Sequence, residues 1–119
     1  MGANEQRKTS RTPLRLLIFL KHLDTGKVQR ALTKNIGGGG VCMVTEGTFK
    51  PGTLLELEIK LPDCENPIVC TAAVIWCRPL IEPKKSYDLP TIEIGLRFVT
   101  IDPKQQALIV QYAKLNAPL

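Results

Sequence analysis

Alternation is the property that most narrows the fold. From Leu54 to Leu61 the chain sets Leu55, Leu57, Ile59 and Leu61 on one side and Glu56, Glu58 and Lys60 on the other. That two-residue period belongs to a strand with one buried face. Thr91 to Val99 repeats it, with Ile92, Ile94, Leu96 and Phe98 inward and Glu93, Gly95 and Arg97 outward. Four more segments read as strands: Leu14 to Leu23, Lys27 to Asn35, Val41 to Thr45, and the long apolar Ile68 to Arg78. On that last strand Val69, Thr71, Ala73 and Ile75 share one face, and Val74 and Trp76 share the other. Asp24-Thr25-Gly26 is a turn signal that makes the first two strands a hairpin. After Asp102 the period changes. Asp102 suits an N-cap and Pro103 the first helical position, and Leu108, Ile109, Tyr112 and Leu115 then recur at helical spacing. Six short strands and one closing helix predict a small antiparallel β-barrel.

A chain of 119 residues allows one domain. Residues 1–12 are polar and predict a flexible N-terminal arm, and residues 13–119 predict the barrel with its helix. Charge is concentrated at the front. Residues 1–34 carry a balance of +6 and residues 35–119 a balance of −1. A polyanion or an anionic ligand is attracted to such a front, while a plain basic tail is only solvated. Cys42, Cys64, Cys70 and Cys77 have no metal-ligand spacing, and His22 is the only histidine, so no metal is expected. No apolar run is long enough to span a bilayer and the start is not a signal peptide, so a cytoplasmic protein is expected.

Catalytic machinery is not visible. A Ser or Cys nucleophile needs an adjacent base, and His22 has no partner in the pattern. Lys34-Asn35-Ile36-Gly37-Gly38-Gly39-Gly40 lacks the Lys-Ser/Thr ending of a P-loop and the strand–turn–helix setting of a dinucleotide fold. No enzymatic activity is expected. Binding fits the residues better. Asn35 carries both donors and an acceptor, suited to a guanine edge. The glycines Gly37 to Gly40 either expose backbone N–H groups to an anion or form a tight turn or bulge between strands. Upstream, Arg7 and Arg11 carry planar forks suited to phosphate oxygens.

The order R-x-x-x-R (Arg7, Arg11), a link through Thr12-Pro13-Leu14, then N-x-G-x-x-G (Asn35, Gly37, Gly40) resembles the PilZ domain family. Val74-Ile75-Trp76-Cys77-Arg78, Ile94-Gly95-Leu96-Arg97-Phe98, and Asp102 with its helix resemble that family's later segments. The resemblance runs from about Arg7 to Leu115 and implies a six-stranded barrel that is a receptor for cyclic di-GMP. Arg7 and Arg11 then clasp phosphates and guanines, Asn35 takes the family's Asp/Asn position, and Gly40 is its glycine. Gly37 departs from the usual Ser, removing one hydroxyl hydrogen bond worth about 0.5–1.5 kcal/mol. Arg11 and Arg15 form a second R-x-x-x-R, set aside because Arg15 is expected inside the first strand. The resemblance implies a downstream partner protein that reads the liganded surface. The alternative is a degenerate PilZ-like interaction module that binds no nucleotide. General nucleic-acid binding is disfavoured, since none of the six aromatics lies beside the arginines.

Overall fold

The computed structural model describes residues 12–13, 15–80 and 91–116, the first two by backbone alone. Among the described residues seven strands and a helix follow in order: β1 Thr12–Pro13, β2 Leu17–His22, β3 Val28–Ile36, β4 Gly40–Glu46, β5 Leu54–Ile59, β6 Ile68–Pro79, β7 Thr91–Thr100 and α1 Pro103–Leu115. All pairings are antiparallel. The order β3-β2-β5-β6-β7-β4 closes on itself through β3–β4, and β1 adds a two-residue pairing at the end of β3. The result is the expected closed six-stranded barrel with one C-terminal helix.

The alternation fixes which side chains line the barrel. Ile18 and Leu20 of β2, Leu55, Leu57 and Ile59 of β5, and Ile94 and Leu96 of β7 are completely buried. At about 25 cal/mol per Å² of apolar surface removed from water, each such side chain contributes on the order of 1.5–3 kcal/mol. The β2–β3 hairpin turns at Gly26, whose φ of 77° is a left-handed conformation that glycine adopts without a Cβ penalty. His22 N–H and Gly26 N–H donate to Lys27 O and His22 O at 2.8 and 2.7 Å to close it.

Two sequence expectations are corrected, and a third holds with an addition. The first long strand begins at Leu17, so Arg15, which is exposed, precedes it instead of lying within it. Glu93 does point away from the barrel interior, yet it is only 4% exposed because charged neighbours cover it. The apolar face of α1 is rotated from the expected one. Ile109 and Ala113 are buried with Tyr112 packed beside them, whereas Leu108 and Leu115 are exposed. Val110, next to Ile109, meets the glycine run at Gly38. The start of α1 is as expected, with Lys104 N–H donating to Asp102 Oδ1 at 2.8 Å and Pro103 in the first turn.

The ladder has three register shifts, at Thr33/Asn35, Thr71/Ala72 and Val74/Trp76, and the first and last shape the outer wall beside Asn35. In β3 the register shifts between Thr33 and Asn35, so Thr33 pairs with Met43 and Asn35 with Cys42. Lys34 is the extra residue, and Lys34 and Asn35 therefore leave the strand on the same, outer side. In β6 the register shifts between Val74 and Trp76, pairing Val74 with Leu96 and Trp76 with Gly95, so Ile75 is extra. Both extra residues are accommodated outside, and the inner lining keeps its period.

Candidate functional site

The glycine run is the turn from β3 into β4. Gly37 N–H donates to Gly40 O at 3.0 Å, and Gly39 O accepts from Phe98 N–H at 3.1 Å. Positive φ values occur at Gly26, Gly47 and Gly52 and not within this run. The run is therefore a turn closed by Gly37 N–H on Gly40 O, with no left-handed residue inside it. Packing explains two of its glycines. A Cβ on Gly40 would collide with the backbone carbonyl of Leu96, and one on Gly38 would fall 2.7 Å from Val110 Cγ2 of α1. Gln106 Nε2–H adds a bond of 2.6 Å to Gly38 O. Gly37, Gly38 and Gly40 are buried and Gly39 is exposed.

Asn35 lies just before this turn. Its Oδ1 is fully buried and has no hydrogen-bond partner among the described residues. A buried acceptor left unsatisfied costs about 1–3 kcal/mol, and such atoms are uncommon enough to require a reason. Asn35 pairs across the sheet with Cys42, Cys42 with Gly95, and Gly95 with Trp76. These four residues form one row over the outer wall. The Trp76 ring lies directly on Gly95, at a position where any Cβ would clash with it. Pro13 of β1 pairs with Asn35 and Thr12 with Ile36, so the segment carrying the arginine motif joins the barrel beside Asn35.

A second row runs alongside through Val44, Glu93 and Arg78. Glu93 Oε2 accepts from Lys34 Nζ at 2.9 Å and from Cys42 Sγ at 3.3 Å. Its Oε1 accepts from Arg78 Nε at 3.2 Å. The Arg78 guanidinium lies 4.9 Å from the Trp76 ring centroid, within cation–π range. Burial opposes ionisation of Glu93, but the bonds from Lys34, Cys42 and Arg78 outweigh it and hold its pKa below the ordinary carboxylate value. Lys34 is shifted upward, chiefly by its hydrogen bond to Glu93. The alternation of β7 places Glu93 only as outward-facing. The signal that a carboxylate is covered lies in the register and the bulges at Lys34 and Ile75, which periodicity does not encode.

Of the sequence-derived site residues, Asn35, Gly37 and Gly40 stand together at the β3–β4 turn. Arg7 and Arg11 lie outside the described residues, as do the arm at residues 1–11 and most of the loop before β7. His22 is half-buried at another end of the sheet, stacked on Phe49 with centroids 5.3 Å apart and bonded through Nε2 to Gln29 Oε1 at 2.9 Å. Gln29 Nε2 donates to Thr45 Oγ1 and Glu46 O, so its Oε1 is the acceptor and His22 Nε2 carries a proton. Among the described residues no three His, Cys, Asp or Glu side chains converge as metal ligands, and no helix is long and apolar enough to cross a membrane.

Comparison with known proteins connects this geometry to a family. The structure of the Bacillus subtilis inhibitor of motility, MotI/DgrA, superposes with a TM-score of 0.73 at 26% identity, over 92% of this chain and 50% of that one. The PilZ domain of YcgR from Escherichia coli, solved with c-di-GMP, gives a TM-score of 0.71 at 16% identity, over 93% and 91%. The K. pneumonia MrkH–c-di-GMP complex gives 0.70 at 16% identity, over 90% and 50%. The chain thus spans about half the length of MotI and MrkH and nearly all of the YcgR domain. No curated protein matches the sequence. The PilZ domain family matches over residues 5–115, a receptor family for cyclic di-GMP with no catalytic activity indicated. With the six-stranded barrel, the Asn35 turn and a match across nearly the whole sequence, this chain belongs to the PilZ domain family.

Proposed function

We propose that this barrel binds cyclic di-GMP at the outer wall beside the β3–β4 turn. Asn35 reads a guanine edge there, and Arg11 closes over the phosphates with Arg7 or with Arg15, which the start of the strand at Leu17 brings back into consideration. The observation that carries this reading is the buried, partnerless Oδ1 of Asn35, at the position where the family has Asp or Asn. A guanine N–H satisfies that acceptor, recovering free energy that the empty site forgoes. The pairing of Thr12 and Pro13 with Ile36 and Asn35 supports the arginine clasp, because Arg11 is the covalent neighbour of Thr12. In this proposal Gly37 and Gly40 contribute a close-packed turn beside the ligand, with Gly37 supplying no hydroxyl.

Binding biases the arm toward a closed state, since the charge-assisted bonds exist only when the arginines lie on the ligand. The liganded surface is then read by another protein, and the arginine-bearing segment ahead of Thr12 is the part that closes over the ligand. Gln106 and Val110 on Gly38 give that change a route into α1.

Calorimetric titration of cyclic di-GMP into wild type and Arg11→Ala tests the reading. Saturable binding by wild type and a loss of tenfold or more in the variant are expected, about 1.4 kcal/mol or more. Equal affinities remove the clasp. One observation favours a second reading, a degenerate interaction module: Gly37 stands where the family has Ser, and Gly38 and Gly40 are accounted for by packing alone. A thermal midpoint unmoved by excess cyclic di-GMP selects that module, because a ligand bound only by the folded state raises it.

A further inference from the structure

We infer that Lys34 is a ligand-contacting cation of this site, held by Glu93 so that its ammonium meets an anionic oxygen of the nucleotide bound beside Asn35. The inference rests on the receptor reading and extends it to a residue outside both sequence motifs.

The β3 bulge is the first support. Without the extra residue, Lys34 and Asn35 would point to opposite faces of the wall; with it, both leave on the outer side. The second support is the shared oxygen. Glu93 Oε2 accepts from Lys34 Nζ and from Cys42 Sγ, and Cys42 is the direct cross-strand partner of Asn35. The ammonium is thereby fixed within one side chain's reach of the buried Asn35 acceptor that lacks a partner.

Charge is the third support. Glu93 is one carboxylate, and Lys34 and Arg78 both bond to it. One cation neutralises a buried carboxylate, so the trio retains a surplus of one positive charge. Lys34 is the better placed to use it. An ammonium has three N–H donors, Glu93 takes one, and no other partner holds the rest among the described residues. Its side chain is 49% exposed, open to an incoming group, whereas Glu93 beneath it is covered. Arg78 is engaged differently, through Nε on Glu93 and its guanidinium on Trp76. Glu93 is thus a positioning residue, and Lys34 is the contact.

Two measurements on the full chain test this. Cyclic di-GMP is titrated by calorimetry against wild type, Lys34→Gln and Lys34→Arg at one salt concentration. Lys34→Gln is expected to bind about tenfold more weakly, and Lys34→Arg, which keeps the charge and the bond to Glu93, to retain most of the affinity. Independently, wild type is acetylated with and without cyclic di-GMP, and each lysine's modification rate is read by mass spectrometry. The ligand is expected to slow modification of Lys34 several-fold and leave Lys60 unchanged. This second measurement needs no variant to fold. If wild type binds and Lys34 is neither protected nor needed for affinity, the inference is overturned and the receptor reading stands. If wild type gives neither a heat signal nor protection, the receptor reading falls and takes this inference with it.

Discussion

Gln106 of α1 donates its side-chain Nε2–H to the carbonyl oxygen of Gly38 across 2.6 Å, binding the helix to the turn that follows Asn35. One turn further along the helix, Val110 packs on the same glycine. Gln106→Ala is expected to lower stability by about 0.5–1.5 kcal/mol in urea unfolding, the usual value of one such bond. It is also expected to speed amide exchange through residues 37–40 more than in the far strands. Uniform exchange across the barrel would show that α1 does not brace the turn.

Gly38 and Gly40 are expected to differ in their tolerance of a methyl group. At Gly40 the obstruction is the backbone of Leu96 in β7, held in a paired strand. Gly40→Ala should cost about 1–3 kcal/mol or more, because a strand must move. At Gly38 the obstruction is the end of the Val110 side chain, and a rotamer change relieves part of it. Thermal unfolding of the two variants should therefore rank Gly40→Ala as the more damaging.

Asn35→Val is expected to separate stability from function. Removing a buried acceptor that bonds to nothing relieves a penalty of about 1–3 kcal/mol, and a β-branched residue suits a strand. The midpoint should hold or rise while affinity for cyclic di-GMP falls. A matching loss of stability would mean that Asn35 is there for the fold.

The Glu93 cluster makes an acid-side prediction. Its pKa is depressed in the folded protein, so its contribution is present above the ordinary carboxylate value of 4.5 and is lost as pH falls through the lowered one. Wild type should exceed Glu93→Gln in urea midpoint at pH about 7, with the gap narrowing below pH about 4. A constant gap would show that the bonds to Lys34 and Arg78 do not depend on the carboxylate's charge.

The sequence and the structure agree most closely where a pattern is local. The alternation of β5 and β7 located the lining residues, and Asp102-Pro103 located the helix start, because each follows from neighbouring residues alone. Agreement weakened where one element's role depends on another. Leu108 and Leu115 continue the helical period but stay exposed, since the seat offered by Gly38 accepts Val110 and leaves Ile109 and Ala113 facing the core. Arg15 follows an apparent strand pattern, yet pairing starts at Leu17. At the candidate site, Asn35, Gly37 and Gly40 are visible as a motif. Lys34, Glu93, Arg78 and Trp76 come from three different strands, and only the register shifts at Thr33/Asn35 and Val74/Trp76 bring them onto one patch.

Those shifts have an evolutionary consequence. Because each surplus residue is absorbed toward solvent, the wall's recognition chemistry can diversify by substitution at 34, 35, 76 or 78 without asking the hydrocarbon lining to repack. A scaffold of this kind separates what must stay constant from what is free to vary, so kindred barrels can share a skeleton while answering to different signals or to none.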